Sequence, residues 1–161
     1  MRVRALEHTD IAALTEFIID AYHDYPLATW FVNEPTREDI ETVFYNKMRG
    51  IGTRSLVDIV TDDNGTIAGE CEIARIDFDR GVIGILVRHG YRGQNLGSAM
   101  LTQAMSDAAD IGITKFIAEV TEENNDAVTF FSSNGFVPIG YRNMERKGKL
   151  QNIVMLQKFI S

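Results

Sequence analysis

Residues 91–101, YRGQNLGSAML, join a polar glycine loop to small and apolar residues at helical spacing. The first turn of a helix carries amide N–H groups with no intrahelical acceptor and about half a unit of positive charge, so it attracts anions. Gly93 and Gly97 let the backbone approach an anion with no β-carbon in between, and Arg92 adds a fixed cation whose fork matches phosphate oxygens. Diphosphate binding is the chemistry such a loop offers after a strand and before a helix, although a glycine turn in that place also needs no ligand. GQNLGS lacks the lysine of a Walker loop and has no third glycine to complete a dinucleotide fingerprint, which disfavours ATP hydrolysis and nicotinamide chemistry.

Proton transfer calls for a different group of residues. Glu70 and Glu72 alternate with Gly69, Cys71 and Ile73 in AGECEIARI, and Glu119 interrupts the apolar FIAEV. A carboxylate in a mainly buried strand has its pKa raised, which suits it to act as a base. The other reading makes Glu70 and Glu72 ordinary polar residues on a strand face open to solvent. We rank Glu72 first and Glu119 second as base. His8, His23 and His89 show no metal-ligand spacing, so no metal is expected. Cys71 is the only cysteine; it cannot form an intrachain disulfide and reads as a packed small hydrophobe.

The elements that must hold these residues follow from periodicity. Arg2 to Leu6 reads as a short strand, and Asp10 is expected to cap a helix that stops before Pro26. Thr36 to Asp39 resembles a capping box ahead of a second helix, with Gly50 as its stop. Residues 55–60, 66–76 and 81–87 form an antiparallel meander, with Asp62 to Gly65 as a tight turn. After the glycine loop come a helix ended by Gly112, the strand KFIAEV, and a helix from about Asp126 closed by Gly135 and Phe136. A strand, a crossover helix and a second strand imply a right-handed parallel pair. Residues 137–144 and 152–160 are two final strands joined by the basic turn from Arg146 to Lys149. The fold class is α/β (α+β), with about seven strands in a mixed, largely antiparallel sheet and about four helices.

A chain of 161 residues, 45% hydrophobic, supports one domain over 1–161. A net charge of −7 argues against a nucleic-acid partner. No apolar run approaches the roughly 20 residues that span a bilayer, and the amino terminus lacks the apolar middle of a secretory signal, so a cytoplasmic protein without a membrane partner is expected. The exposed edges of a mixed sheet leave room for a homodimer.

ILVRHGYRGQNLGSAML followed by IAEVTEENNDAVTFFSSNGF resembles the core of the GNAT superfamily, the Gcn5-related N-acetyltransferases. That family's Arg/Gln-x-x-Gly-x-Gly/Ala loop falls on Arg92, Gly93, Gln94, Asn95, Leu96 and Gly97, and its Asn-x-x-Ala-x-x-x-Tyr-x-x-x-Gly-Phe block on Asn124, Ala127, Phe131, Gly135 and Phe136. The order of elements matches over nearly the whole chain. The resemblance implies an acetyl-CoA site, with the amides of Gln94 to Ser98 around the pyrophosphate and the pantetheine arm along the strand ending at Leu86 and Val87. It implies that the N–H of Val87 meets the thioester oxygen and that Asn124 holds the far end of the arm. It also makes YHDYPLATWF one wall of an acceptor pocket lined by Tyr22, Asp24, Tyr25 and Trp30.

Two positions depart from the family pattern. Asn95 stands where glycine is usual, but asparagine tolerates left-handed geometry best after glycine. Phe131 stands where a tyrosine often protonates the departing thiolate; Tyr141 is a substitute donor, or else a packed strand aromatic. The implied activity is direct transfer of acetyl from acetyl-CoA to a primary amine in a ternary complex. Polyamine, aminoglycoside, amino acid and peptide acceptors all remain open. A CoA-binding sensor or scaffold of the same fold is the alternative, supported by Phe131 and Asn95, and a plain α/β interaction domain without cofactor is a third.

Overall fold

A computed structural model describes every residue except Gln94 and Ser161. Seven strands lie in one sheet in the order β1-β2-β3-β4-β5-β7-β6: β1 (Arg2–Ala5), β2 (Ser55–Thr61), β3 (Ile67–Arg75), β4 (Arg80–Val87), β5 (Lys115–Thr121), β6 (Val137–Arg146) and β7 (Lys149–Phe159). All neighbours are antiparallel except β4 and β5, the parallel pair that the crossover helix requires. The final hairpin turns back so that β7, the later strand, takes the inner place beside β5 and leaves β6 at the edge.

Four helices cover the two faces. On one face, α1 (Ile11–Asp24) and α2 (Arg37–Met48) bury Ile11, Leu14, Phe17, Ile18, Ile40 and Phe44 against Val57, Ile59 and Leu86. On the other, α3 (Leu96–Asp110) and α4 (Asn125–Ser133) bury Met100, Leu101, Ala104 and Phe131 against Cys71, Ile73, Phe116 and Leu156. Each burial of a large aliphatic or aromatic side chain contributes roughly 1.5–3 kcal/mol, and the two cores hold the sheet between them. Among the described residues, no helix is long and apolar enough to cross a membrane.

The capping box forms as expected: Thr36 accepts from the Asp39 N–H at 3.1 Å, and Asp39 accepts from the Thr36 N–H at 3.2 Å. Asp10 behaves differently. Its carboxylate makes no cap on α1; it accepts from the Arg4 guanidinium at 2.7 and 2.8 Å and from the Glu7 N–H at 2.8 Å. A bidentate charged partner outcompetes a neutral amide, so the residue ties β1 to the turn before α1 instead.

Candidate active site

The central feature is a gap in the sheet. β4 and β5 pair over only Arg80–Lys115, Gly81–Phe116 and Val82–Ile117. Beyond Val82 each strand keeps its outer neighbour, β3 for β4 and β7 for β5, but no longer meets the other. The direction of the freed groups follows from the antiparallel ladder. Arg88 donates to the Ala68 carbonyl at 2.8 Å and Ile76 to the Arg80 carbonyl at 2.9 Å, so even-numbered residues of β4 bond β3. Ile85 and Val87 therefore direct their main-chain groups into the gap. The Val87 carbonyl accepts from Arg92 Nε at 3.2 Å, while its N–H has no backbone acceptor among the described residues.

Leu86 has the opposite orientation. Its amide lies in the ladder with Glu70, and its side chain is buried in the core beneath α1 and α2. The place on the gap that the sequence suggested for Leu86 belongs to Ile85, one residue earlier.

A cavity of about 340 Å³ occupies the end of the gap beside α3 and α4. Val87 reaches it from β4, and Arg92, Gly93 and Asn95 from the loop; Leu96, Gly97 and Ser98 supply the first turn of α3, and Asn124 and Phe131 come from α4 and its cap. Gln94 lies outside the described residues. Gly93 has φ of 81° and Asn95 of 57°, so the loop uses two left-handed positions, one held by the non-glycine residue that best tolerates them. The amides of Gly93, Leu96 and Gly97 have no backbone acceptor among the described residues, as a helix start requires. Gly97 is needed for a second reason: a β-carbon there would come within 3.0 Å of the Phe130 ring.

Asn124 Oδ1 accepts from the Ala127 N–H at 3.3 Å and so caps α4, leaving its amide nitrogen as the donor at the cavity. Arg92 is held by Asp24 at 3.1 Å, and Tyr91 donates to Asp62 at 2.5 Å. These contacts anchor the start of the loop.

A second cavity of about 290 Å³ opens on the sheet face that α1 and α2 leave uncovered. Ala28, Ile85, Ala127 and Phe131 line both cavities, so the two meet across the gap. Glu72 and Glu119 line the second one, each with a cation: Lys47 Nζ is 2.5 Å from Glu72 Oε2, and Arg142 reaches both oxygens of Glu119 at 3.0 and 3.3 Å. Among the described residues Glu72 has a cation on one oxygen only, whereas Arg142 holds both oxygens of Glu119. Glu70, on the same strand face, is sealed beneath α1 and α2 with Oε1 lacking any partner. Burial, then the neighbouring Glu72 charge, pushes its carboxyl well above the ordinary range. The perturbed carboxyl expected from the strand pattern is thus Glu70, which does not line the cavity.

The aromatic wall is divided. Trp30 lines the second cavity, with Lys47 Nζ 4.9 Å from its ring centre, and Tyr25 lines the first. Tyr22 is buried and lines neither; its hydroxyl meets Lys147 at 3.4 Å. Tyr141 is 65% exposed and lines neither cavity, because alternation along β6 turns Arg142, Met144 and Arg146 inward and Tyr141 outward. It cannot replace the hydroxyl missing at Phe131. The sequence reading also passed over Arg142 and Arg146. Their period-two spacing with Met144 was the available signal.

The sheet is parted between its two parallel strands, with a helix-start loop at one side of the gap and a carboxylate-bearing pocket at the other. Residues 16–136 match the Acetyltransferase (GNAT) family, and the chain belongs to it. Among solved structures, it resembles a ribosomal-protein-alanine N-acetyltransferase from Brucella melitensis (TM-score 0.84, 18% identity, 99% of this chain and 100% of that one). It also resembles a phosphinothricin acetyltransferase from Sinorhizobium meliloti in complex with AcCoA (0.82, 16%, 99% and 88%). A spermidine N-acetyltransferase SpeG mutant from Vibrio cholerae has the same fold (0.76, 19%, 99% and 95%). No curated protein matches the chain.

Proposed function

We propose that the protein is an acetyl-CoA-dependent N-acetyltransferase that moves acetyl directly to a primary amine in a ternary complex. The observation that carries this reading is the gap after Val82 and Ile117, where the Val87 N–H, without a backbone acceptor among the described residues, lies beside the helix-start loop. The loop amides and Arg92 would take the pyrophosphate, and Ile85, Val87 and Asn124 the pantetheine arm. The bound cosubstrate supplies the activated thioester; the chain orients it and handles the protons.

An ammonium cannot attack a thioester, so the amine must first lose a proton, and Glu72, which lines the second cavity, is the base in this scheme. The amine nitrogen bonds the carbonyl carbon and the oxygen gains charge facing the Val87 N–H; as the carbonyl re-forms, the carbon–sulfur bond breaks and the nitrogen gives up its extra proton to water. Phe131 offers no proton to the departing sulfur. A thiol with an ordinary pKa near 8.5 leaves tolerably as thiolate, so the step survives without a donor.

Phe131 is also what favours the second reading, a CoA-binding sensor with little turnover. Incubation with acetyl-CoA and a panel of amines, reading thiol release, separates the two. Release that depends on an added amine supports the enzyme; tight CoA binding without release supports the sensor.

A further inference from the structure

We infer that the acceptor is a small amine bearing an anionic group, of the amino-acid class, and that Arg146 binds the anion. This rests on the acetyltransferase reading and deepens it. Arg146 ends β6, is only 7% exposed and lines the second cavity. Its Nη2 donates to the carbonyls of Pro26 at 3.0 Å and Thr29 at 3.4 Å, and to that of Phe31. Unlike Lys47 and Arg142, it has no carboxylate in ion-pair contact among the described residues.

A guanidinium stays protonated at any working pH, and burying one without an anion is costly. Three carbonyl dipoles offset part of that cost but leave the full charge uncompensated. Nε and Nη1 have no protein acceptor among the described residues, yet neither is among the buried side-chain atoms left without a partner. They therefore remain accessible, at a residue whose opening is the cavity.

The rest of the pocket fits an amine with an anion a few bonds away. Glu72 offers a carboxylate to an ammonium, and Trp30, Leu27 and Ile153 give apolar wall for a side chain. A volume of about 290 Å³ suits a small acceptor. A polyamine would bring a further ammonium toward Arg146, the wrong sign for a cation that lacks a carboxylate partner among the described residues.

The test compares L-amino acids with their matched amides, and with spermidine, as acceptors for the wild-type protein and Arg146→Gln. Removing the substrate carboxylate should lower wild-type kcat/KM by about 100-fold or more, because it leaves the buried cation unpaired. The amide's amine is the less basic and more readily deprotonated, so a preference for the free acid runs against intrinsic reactivity. In Arg146→Gln the acid-to-amide ratio should fall toward one. Wild-type acetylation of amides or spermidine as fast as amino acids overturns the inference while leaving the acetyltransferase reading intact, and this arm needs no variant to fold. A ratio retained in a folded Arg146→Gln removes Arg146 from the assignment. If no amine is acetylated, the enzyme reading fails instead, and calorimetry on CoA-loaded protein then decides: tenfold tighter binding of amino acid than amide upholds the anion site, and equal binding refutes it.

Discussion

Asp58 offers a measurement of how the helix α3 is fastened to the sheet. It is 2% exposed on β2, opposite Cys71 of β3 and against Asp107 of α3, with Oδ2 lacking a donor. Burial first, then a hydrogen bond and repulsion from Asp107, raise its pKa from 3.8 to about 7. The folded state therefore holds a proton that the unfolded chain releases at lower pH. The resulting stability is complete below about 3.8 and is lost as pH rises through about 7. At about 1.4 kcal/mol per tenfold, the interval corresponds to roughly 4 kcal/mol, and water reaching Asp107 lowers this to about 2–4 kcal/mol. Asp58→Asn keeps the size and a donor toward Asp107 but cannot ionise. Urea denaturation at pH 5 and pH 8.5 should show the wild type losing about 1 M or more in midpoint, taking a slope near 2 kcal/mol/M. The variant should be flatter by most of that loss and more stable than wild type at pH 8.5. Glu70, also raised, leaves a residual slope of the same sign. Equal pH dependence in the two proteins would refute the shared-proton account.

Three other expectations concern the site. Gly97→Asp should abolish measurable acetyl-CoA binding by calorimetry, since its β-carbon meets Phe130 at 3.0 Å and its charge opposes a diphosphate; unchanged affinity would remove the loop from the cosubstrate site. Glu72→Gln should lower kcat by about 100-fold at pH values below the amine pKa, with recovery above it, in a pH–rate profile. Asn124→Ala should cost about 1 kcal/mol in stability through the lost cap and weaken CoA binding as well; a stability loss alone confines the residue to capping α4.

Local signals in the chain were enough for most of the architecture. Thr36 and Asp39, the turn at Asp62 to Gly65, and the left-handed Gly112 and Gly135 each act through neighbours a few residues away, so their chemistry is visible in a short window. The parallel pair followed from the order strand, crossover helix, strand. The site was less legible because its members depend on distant partners. Alternation placed Glu70 and Glu72 on one face, but only the position of α1 and α2 makes one sealed and the other open. Asp10 was misread because its partner, Arg4, competes with the cap. Leu86 and Ile85 differ by one residue in ladder phase, which pattern cannot fix without a known hydrogen bond such as that from Arg88 to Ala68. Arg146 looked like part of a basic turn; the segment of residues 26–31 that surrounds it comes from far earlier in the chain.

The short join between β4 and β5 makes the sheet two subassemblies, β1–β4 and β5–β7, met along three residue pairs, with α3 packed on the first and α4 on the second. A pantetheine arm hydrogen-bonded to Ile85 and Val87 would act as the missing rung between them. Thermal endurance would then track the cell's supply of coenzyme, rising by about 2.7 kcal/mol when free ligand stands at 100 times its dissociation constant. A starved cell would hold a looser molecule, and turnover of the protein itself would follow metabolic state.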